Sequence, residues 1–282
     1  LPAAPMLMTR GCPYLCTFCG SYLITGRAVR TRSVDNIIEE LKLLKDTYGV
    51  RTIDIVDENC AYDRDLLMAF CDRLIKEKID IAWNCPYGVR LNCLDKELVQ
   101  RMEQSGCFGV SVGIESGSDR ILKKIKKGLT VEVIEKQIAM IRASCKMVVQ
   151  GFFMMGFPEE KVEDVEKTID LACRLPLDLA IFSVLWPTPG TEIYEKLLED
   201  GKIAPNTDYA GVGHDFFVQS YCDLTDRQLR QLQRKAYQRF YLRPRIALNM
   251  VRLFNTSSQF RIVLDACRRL WRKPKVLQGK LP

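Results

Sequence analysis

"RGCPYLCTFCGS", residues 10–21, sets Cys12, Cys16 and Cys19 in the spacing Cys-x3-Cys-x2-Cys. Three thiols is an awkward number, because a structural zinc site takes four ligands and a disulfide takes two. The stretch follows directly on a short apolar run, "PMLMTR" (5–10). The role of the thiols therefore depends on what that run becomes in the fold.

Further apolar, partly β-branched runs follow at intervals: "TIDIV" (52–56), "IDIAWN" (79–84), "FGVSVGI" (108–114), "MVVQGFFMM" (147–155) and "LAIFSVL" (179–185). Between them lie amphipathic stretches with helical spacing. In "SVDNIIEELKLLKDTYG" (33–49), Ser33 is the expected cap, Ile37, Leu41 and Leu44 share a face, and Gly49 is the stop. Residues 63–77, 95–106, 130–144, 162–175 and 191–201 repeat the plan. Strand–helix units in series require parallel strands, since each helix returns the chain across the sheet. The continuous apolar character of the strands predicts a sheet covered on both faces. The expected fold is α/β, a partial (β/α)6 barrel of the TIM type over residues 1–201, with chemistry at the carboxyl ends of the strands. A doubly wound open sheet is the runner-up. Residues 202–282 form a second unit: an irregular connection (202–222) carrying the only histidine, His214, then a basic helical extension. Its first helix starts at Thr225, puts Leu229, Leu232, Ala236 and Phe240 on one side, and ends before Pro244; further helices are expected over 245–254 and 258–272.

The 282 residues are 47% apolar and 27% charged, enough for a sizeable core. No apolar run reaches the roughly 18 residues of a membrane span, and no signal peptide is evident. The chain opens at Leu1 with a strand candidate close behind, so an N-terminal portion of the gene product is expected to be missing. Outside the opening loop the cysteines are scattered singly, several in apolar segments like Cys71 and Cys173. This is the usage of reduced core thiols and implies a cytoplasmic protein. Charge is uneven: 15 Lys and Arg oppose 3 Asp from Asp223 onward, whereas 27 basic residues oppose 32 acidic ones before it. The favoured reading is a tail that docks on its acidic neighbour and keeps a solvated basic face. Membrane-surface contact is the second reading, and nucleic acid ranks below both.

A Cys-x3-Cys-x2-Cys loop directly after a strand resembles the radical S-adenosylmethionine superfamily. The resemblance implies that Cys12, Cys16 and Cys19 hold three irons of a [4Fe-4S] cluster while the fourth iron chelates S-adenosylmethionine. It also implies one-electron cleavage to a 5′-deoxyadenosyl radical that abstracts hydrogen from a substrate carbon. Phe18 matches the aromatic position beside the adenine. "VDEN" (56–59) offers Asp57, Glu58 and Asn59 toward the methionyl amino group, and "WNCPYGVR" (83–90) offers Asn84 and Arg90. "GIESGSDRILKKIKKG" (113–128) resembles a block that implies Glu115 on the ribose or methionyl group and Lys127 on its carboxylate. "GFFMMGFPEE" (151–160) resembles the adenine-binding strand, with Gly151, Gly156 and Pro158 allowing close backbone approach. "WPTPGT" (186–191) puts Trp186 at the substrate mouth, and His214 is a further substrate-side candidate.

"AYQRFYLRPR" (236–245) resembles the C-terminal extension of the cobalamin-binding branch, related to the anaerobic magnesium-protoporphyrin ester cyclase. In that branch a cobalamin domain precedes the first strand. The expected activity is therefore cobalamin-assisted methyl transfer or cyclisation of a small-molecule substrate. An external donor such as flavodoxin or ferredoxin would feed the cluster. Two alternatives stay open: a zinc-stabilised nucleic-acid-binding module with a distant cysteine such as Cys60 as fourth ligand, and a tRNA-modifying enzyme of the same superfamily.

Overall fold

The computed structural model describes residues 2–204, 220–244 and 246. The chain begins with β1 (Ala3–Met6), β2 (Thr9–Arg10), α1 (Ser21–Thr25), β3 (Arg30–Thr31) and α2 (Val34–Tyr48). It continues with β4 (Thr52–Ile55), α3 (Arg64–Lys76), β5 (Ala82–Val89), α4 (Lys96–Gln104), β6 (Cys107–Glu115), α5 (Asp119–Lys124) and α6 (Val131–Ser144). Next come β7 (Val148–Met155), α7 (Val162–Arg174), β8 (Leu179–Val184), α8 (Glu192–Glu199) and α9 (Asp226–Tyr241). The helix starts follow local chemistry. Side chains of Ser33, Asp63, Asp95, Thr130, Thr191 and Thr225 each accept an amide from the first turn they precede, worth about 1 kcal/mol apiece. Gly49 ends α2 in the left-handed conformation, as its position predicts.

β1, β4, β5, β6, β7 and β8 form one sheet in that order, every pairing parallel. Because strand order follows chain order without reversal, right-handed crossovers put the helices on a single face. This is the partial-barrel arrangement; a doubly wound sheet would reverse its order partway and place helices on both faces. Burial corrects one expectation. In β4 and β7 fully buried residues alternate strictly with half-buried ones, and in β5 they do so over its first half, so one face lies under the helices while the other is only partly covered. β6 alone is buried along most of its length. Register rows on the less covered face join Asp54, Asn84, Gly109 and Val148 in one layer, and Gly113, Phe152 and Ile181 nearer the carboxyl end.

The third long strand also lies further along the chain than its apolar run predicts: β5 covers 82–89, not 79–84. Pro86 and Gly88 lie within the strand: the register shifts between Cys85 and Val89, and this irregularity accommodates them.

α9 covers the outer edge of β8. Leu229, Leu232, Ala236 and Phe240 are buried, as predicted. The Tyr237 hydroxyl accepts the Phe182 amide at 3.2 Å, Gln233 donates to the Phe182 carbonyl at 2.8 Å, and the Tyr241 hydroxyl bonds both the amide and carbonyl of Ala180. These side chains occupy backbone groups that would otherwise form an open sheet edge. Lys235 pairs with Glu166 at 2.5 Å and Arg239 with Asp170 at 2.7 Å on α7, so two of the tail's cations dock on acids of the preceding part. Among the described residues no helix is long and apolar enough to cross a membrane. Apart from Ile246, the helices expected over 245–254 and 258–272, and His214 with most of its connection, lie outside the described residues.

Candidate active site

The cysteine loop sits at the carboxyl end of the sheet, and its ends are tied together. β2 and β3 pair antiparallel, Thr9 with Thr31 and Arg10 with Arg30, enclosing residues 11–29. The Cys12 amide donates to the Gly26 carbonyl at 3.2 Å. Gly11, at φ +108°, leaves no room for a side chain, since a Cβ there would lie 2.3 Å from the Ala28 carbonyl oxygen. Asp57 braces the entry: its carboxylate accepts the amides of Met8 (2.9 Å) and Thr9 (2.7 Å) and the Thr9 hydroxyl (2.7 Å). Burial pushes the Asp57 carboxyl upward while those three donors pull it back. Glu58 accepts the Gly11 amide at 3.2 Å. The loop's far side is fastened by Thr17, whose amide donates to Ile125 and whose carbonyl accepts Ile193, both at 3.1 Å.

Strand ends from β4, β5 and β6 meet around this loop. Asn59 accepts the Arg90 amide at 3.2 Å and donates to the Cys93 sulfur at 3.4 Å, and the Tyr14 hydroxyl contacts the same sulfur at 3.2 Å. The Arg90 guanidinium lies 3.7 Å from the Tyr14 ring centroid, reaches the Cys16 sulfur at 3.5 Å through Nη1, and donates through Nη2 to the Lys127 carbonyl. Lys127 Nζ in turn bonds Glu115 at 2.8 Å, both side chains buried. The pair lies over Gly113, where a Cβ would come within 2.7 Å of the ammonium and 2.8 Å of the carboxylate. Glu115 itself has φ +69°, a left-handed conformation that costs of the order of 1–3 kcal/mol outside glycine. That strain is held at the end of β6 by the buried ion pair.

On the opposite side, Phe18 packs edge-on against Phe157 at 5.6 Å. Phe157 follows Gly156, which turns the chain at φ +90° after β7. Glu160 holds this turn by accepting the amides of Gly156 (2.5 Å) and Phe157 (3.2 Å) through one oxygen; its other oxygen is buried without a hydrogen-bond partner. Burial pushes the Glu160 carboxyl up to about 8. The "WPTPGT" segment completes the rim: the Tyr22 hydroxyl donates to the Gly190 carbonyl at 2.7 Å, and Thr188 packs on Gly20. Half-buried Trp186 lies in this segment.

Most sequence-derived candidates thus gather at one end of the sheet: Cys12, Cys16, Cys19, Phe18, Asp57, Glu58, Asn59, Arg90, Glu115, Lys127, Gly156 and Trp186. Asn84 is the exception. It is the third residue of β5, five residues and roughly 16 Å of strand from Val89. The strand's displaced bounds account for this: β5 runs on to Val89, so Asn84 lies near its start. Asp57 spends both oxygens on the loop, which makes it a brace. Tyr14, Cys93, Gly113 and Glu160 were not singled out from sequence. Tyr14 lies inside the cysteine motif and Glu160 ends "GFPEE", so both stood in quoted segments; Cys93 carried no signal.

The donor set suits a [4Fe-4S] cube. Burial raises the Cys12 thiol, the nearby Cys19 and Cys16 raise it further, and the Tyr14 amide and Arg90 oppose them. Bound iron would act with those two, stabilising the thiolates against burial and their mutual repulsion. Among the described residues no three His, Cys, Asp or Glu side chains converge on one ion, as zinc requires. A cube instead spreads its thiolates over separate irons. Cys60, the suggested fourth zinc ligand, is buried with its sulfur 3.0 Å from Cys85 in the core.

Comparison with known proteins agrees with this arrangement. The model of the radical SAM superfamily matches residues 6–172. An uncharacterized methyltransferase of Pyrococcus horikoshii is 33% identical over 252 residues, 88% of this chain and 53% of that protein. The anaerobic magnesium-protoporphyrin IX monomethyl ester cyclase of Cereibacter sphaeroides is 26% identical over 238 residues, 84% of this chain and 38% of the cyclase. The chain therefore spans about half, or less, of the length of these relatives. Among solved structures, the radical S-adenosylmethionine methyltransferase TsrM of Kitasatospora setae, with cobalamin and a [4Fe-4S] cluster bound, shares the fold. Its TM-score is 0.64 at 19% identity, covering 73% of this chain and 42% of TsrM.

Proposed function

The chain belongs to the radical S-adenosylmethionine superfamily, and on that premise we propose that it is the catalytic core of a cobalamin-assisted methyltransferase or cyclase, with Cys12, Cys16 and Cys19 as the cluster ligands. The observation that carries this reading is the stapled three-cysteine loop facing the ends of β4, β5 and β6. When bound, the cluster would supply one electron to the sulfonium of S-adenosylmethionine, and the resulting 5′-deoxyadenosyl radical would take hydrogen from a substrate carbon.

The protein's own residues do the rest by placement and exclusion of water. Arg90 sets positive charge against the Cys16 sulfur. Lys127 and Glu115, already paired at 2.8 Å, offer a cation and an acceptor to the amino-acid end of the nucleotide. Phe18, packed on Phe157 beside the Gly156 turn, offers an apolar wall to the adenine. The less covered face below, with Phe152, Met154 and Ile181 beside Gln150 and Ser183, would take an uncharged, partly apolar substrate surface. Cobalamin, which is bound in the TsrM structure that shares this fold, would assist the transfer. The free thiols agree with a cytoplasmic setting.

Anaerobic reconstitution with iron and sulfide tests the proposal. Reduced protein should release 5′-deoxyadenosine from S-adenosylmethionine, and the joint C12A, C16A and C19A substitutions should abolish both chromophore and release. Stoichiometric zinc without labile sulfide, or a chromophore that survives the triple substitution, overturns it.

A further inference from the structure

We propose that the basic ribbon at the foot of the cysteine loop is the docking site of an acidic one-electron carrier protein of the flavodoxin or ferredoxin kind; this rests on reading the loop as a cluster site. β2 and β3 set Arg10 directly opposite Arg30. Like charges facing each other across a strand pair repel, and an anion lying between them would relieve that repulsion. Residues 1–34 contain four arginines and no acidic residue, although the chain before Asp223 is net acidic. Of the four, Arg32 is engaged by Glu40 at 2.5 Å. The others are exposed and, among the described residues, have no acidic partner. Arg30 bonds the Thr25 carbonyl at 2.7 Å; Arg27 bonds the Tyr14 carbonyl at 2.8 Å and lies over the Tyr22 ring.

The ribbon also shapes a place for carboxylates. Arg10, Arg30 and Arg32 line a cavity of about 350 Å³ with Leu7 and Thr31. The loop that the ribbon encloses exposes Leu15, Leu23 and Ile24, the last 88% accessible. Exposed apolar side chains together with unpaired arginines suit a transient protein-docking surface, in which charge steers the encounter and the apolar side chains seat it. Location selects the partner. Arg10 is two residues from Cys12, and Arg27 holds the carbonyl of Tyr14 between Cys12 and Cys16. A carrier seated here delivers to the cysteine loop itself: one electron leaves its reduced cofactor, one arrives at the cluster, and no bond forms or breaks at the ribbon. Free phosphate could satisfy the arginines but has no use for the apolar patch.

The experiment uses the anaerobically reconstituted full chain with flavodoxin as probe, comparing wild type, R10E, R30E and the charge-keeping R10K and R30K. Binding is read by anisotropy of labelled flavodoxin and electron entry by bleaching of the cluster absorbance. R10E and R30E should each weaken flavodoxin binding about tenfold or more and slow its reduction of the cluster in proportion. The lysine variants should stay near wild type, and dithionite should reduce every form equally. Wild-type affinity should also fall as ionic strength rises from about 0.05 to 0.2 M. Unchanged affinity in the glutamate variants overturns the assignment, as does a ribbon that inorganic phosphate saturates while flavodoxin binding is undisturbed. If dithionite reduces no form, the cluster reading fails, and the binding measurement still decides the docking surface.

Discussion

Arg90 lays its guanidinium 3.7 Å from the centre of the Tyr14 ring, and that stack aims Nη1 at the Cys16 sulfur, 3.5 Å away. The residue is only 8% exposed, so its charge acts on the cysteine loop with little screening by water. Tyr14 is itself fixed by Cys93, and burial together with that sulfur raises the phenol well above its usual range. It therefore stays neutral and a good face for the cation.

Removing this cation should make the cluster harder to reduce, because the electron-rich state loses more stabilisation than the oxidised one. R90Q is expected to lower the midpoint potential by about 60 mV, one factor of ten for a one-electron couple. R90K, which keeps charge but not the fork or the stack, should fall between. Potentiometric titration of the reconstituted protein, followed by EPR, measures the shift; an unchanged or raised potential in R90Q refutes it.

The buried pair of Lys127 and Glu115 makes a stability prediction that is independent of any cofactor. K127M leaves a carboxylate buried without its partner and should cost about 3–5 kcal/mol, whereas the double variant K127M with E115Q should recover much of the loss. Urea unfolding of the three proteins decides this. G113A should resemble the single variant, since its methyl group would enter the space of the ion pair.

Glu160 makes stability fall with rising pH. Its folded value of about 8 exceeds the 4.5 of an exposed glutamic acid, so the folded chain binds more protons across that interval. The contribution is present below about 4.5 and is lost as pH rises through about 8, on the order of 1 kcal/mol per unit. E160Q should flatten the slope between pH 5 and pH 8 (roughly the titration range implied by linkage). An equal slope in both proteins excludes Glu160 as its source.

On α9 the apolar stripe should outweigh the ion pairs. Lys235 and Arg239 form exposed salt bridges, worth about 0–1 kcal/mol each. Phe240 is fully buried against Phe182, and F240A should cost about 3–5 kcal/mol. Thermal unfolding of F240A beside the double charge reversal K235E with R239E separates the two effects.

Helix boundaries were legible from sequence because caps are local: Ser33, Asp63, Asp95, Thr130, Thr191 and Thr225 act on amides three residues away. The cysteine loop was legible for a similar reason, its three thiols falling within eight residues. β5 was not, because a proline and a glycine that signal a turn in isolation can be absorbed where two neighbouring strands hold the register.

By itself, the sequence determined the alternation of strand and helix, the parallel sheet this forces, and three thiols at the head of the first crossover. These follow from periodicity and from contacts a few residues apart. Tertiary structure alone decided that Arg90 meets Cys16 across 74 residues, that Lys127 neutralises Glu115 over Gly113, that α9 closes the edge of β8, and that Arg10 faces Arg30. Each of these depends on which strand ends become neighbours, and strand order is a property of the whole packed sheet rather than of any segment in it.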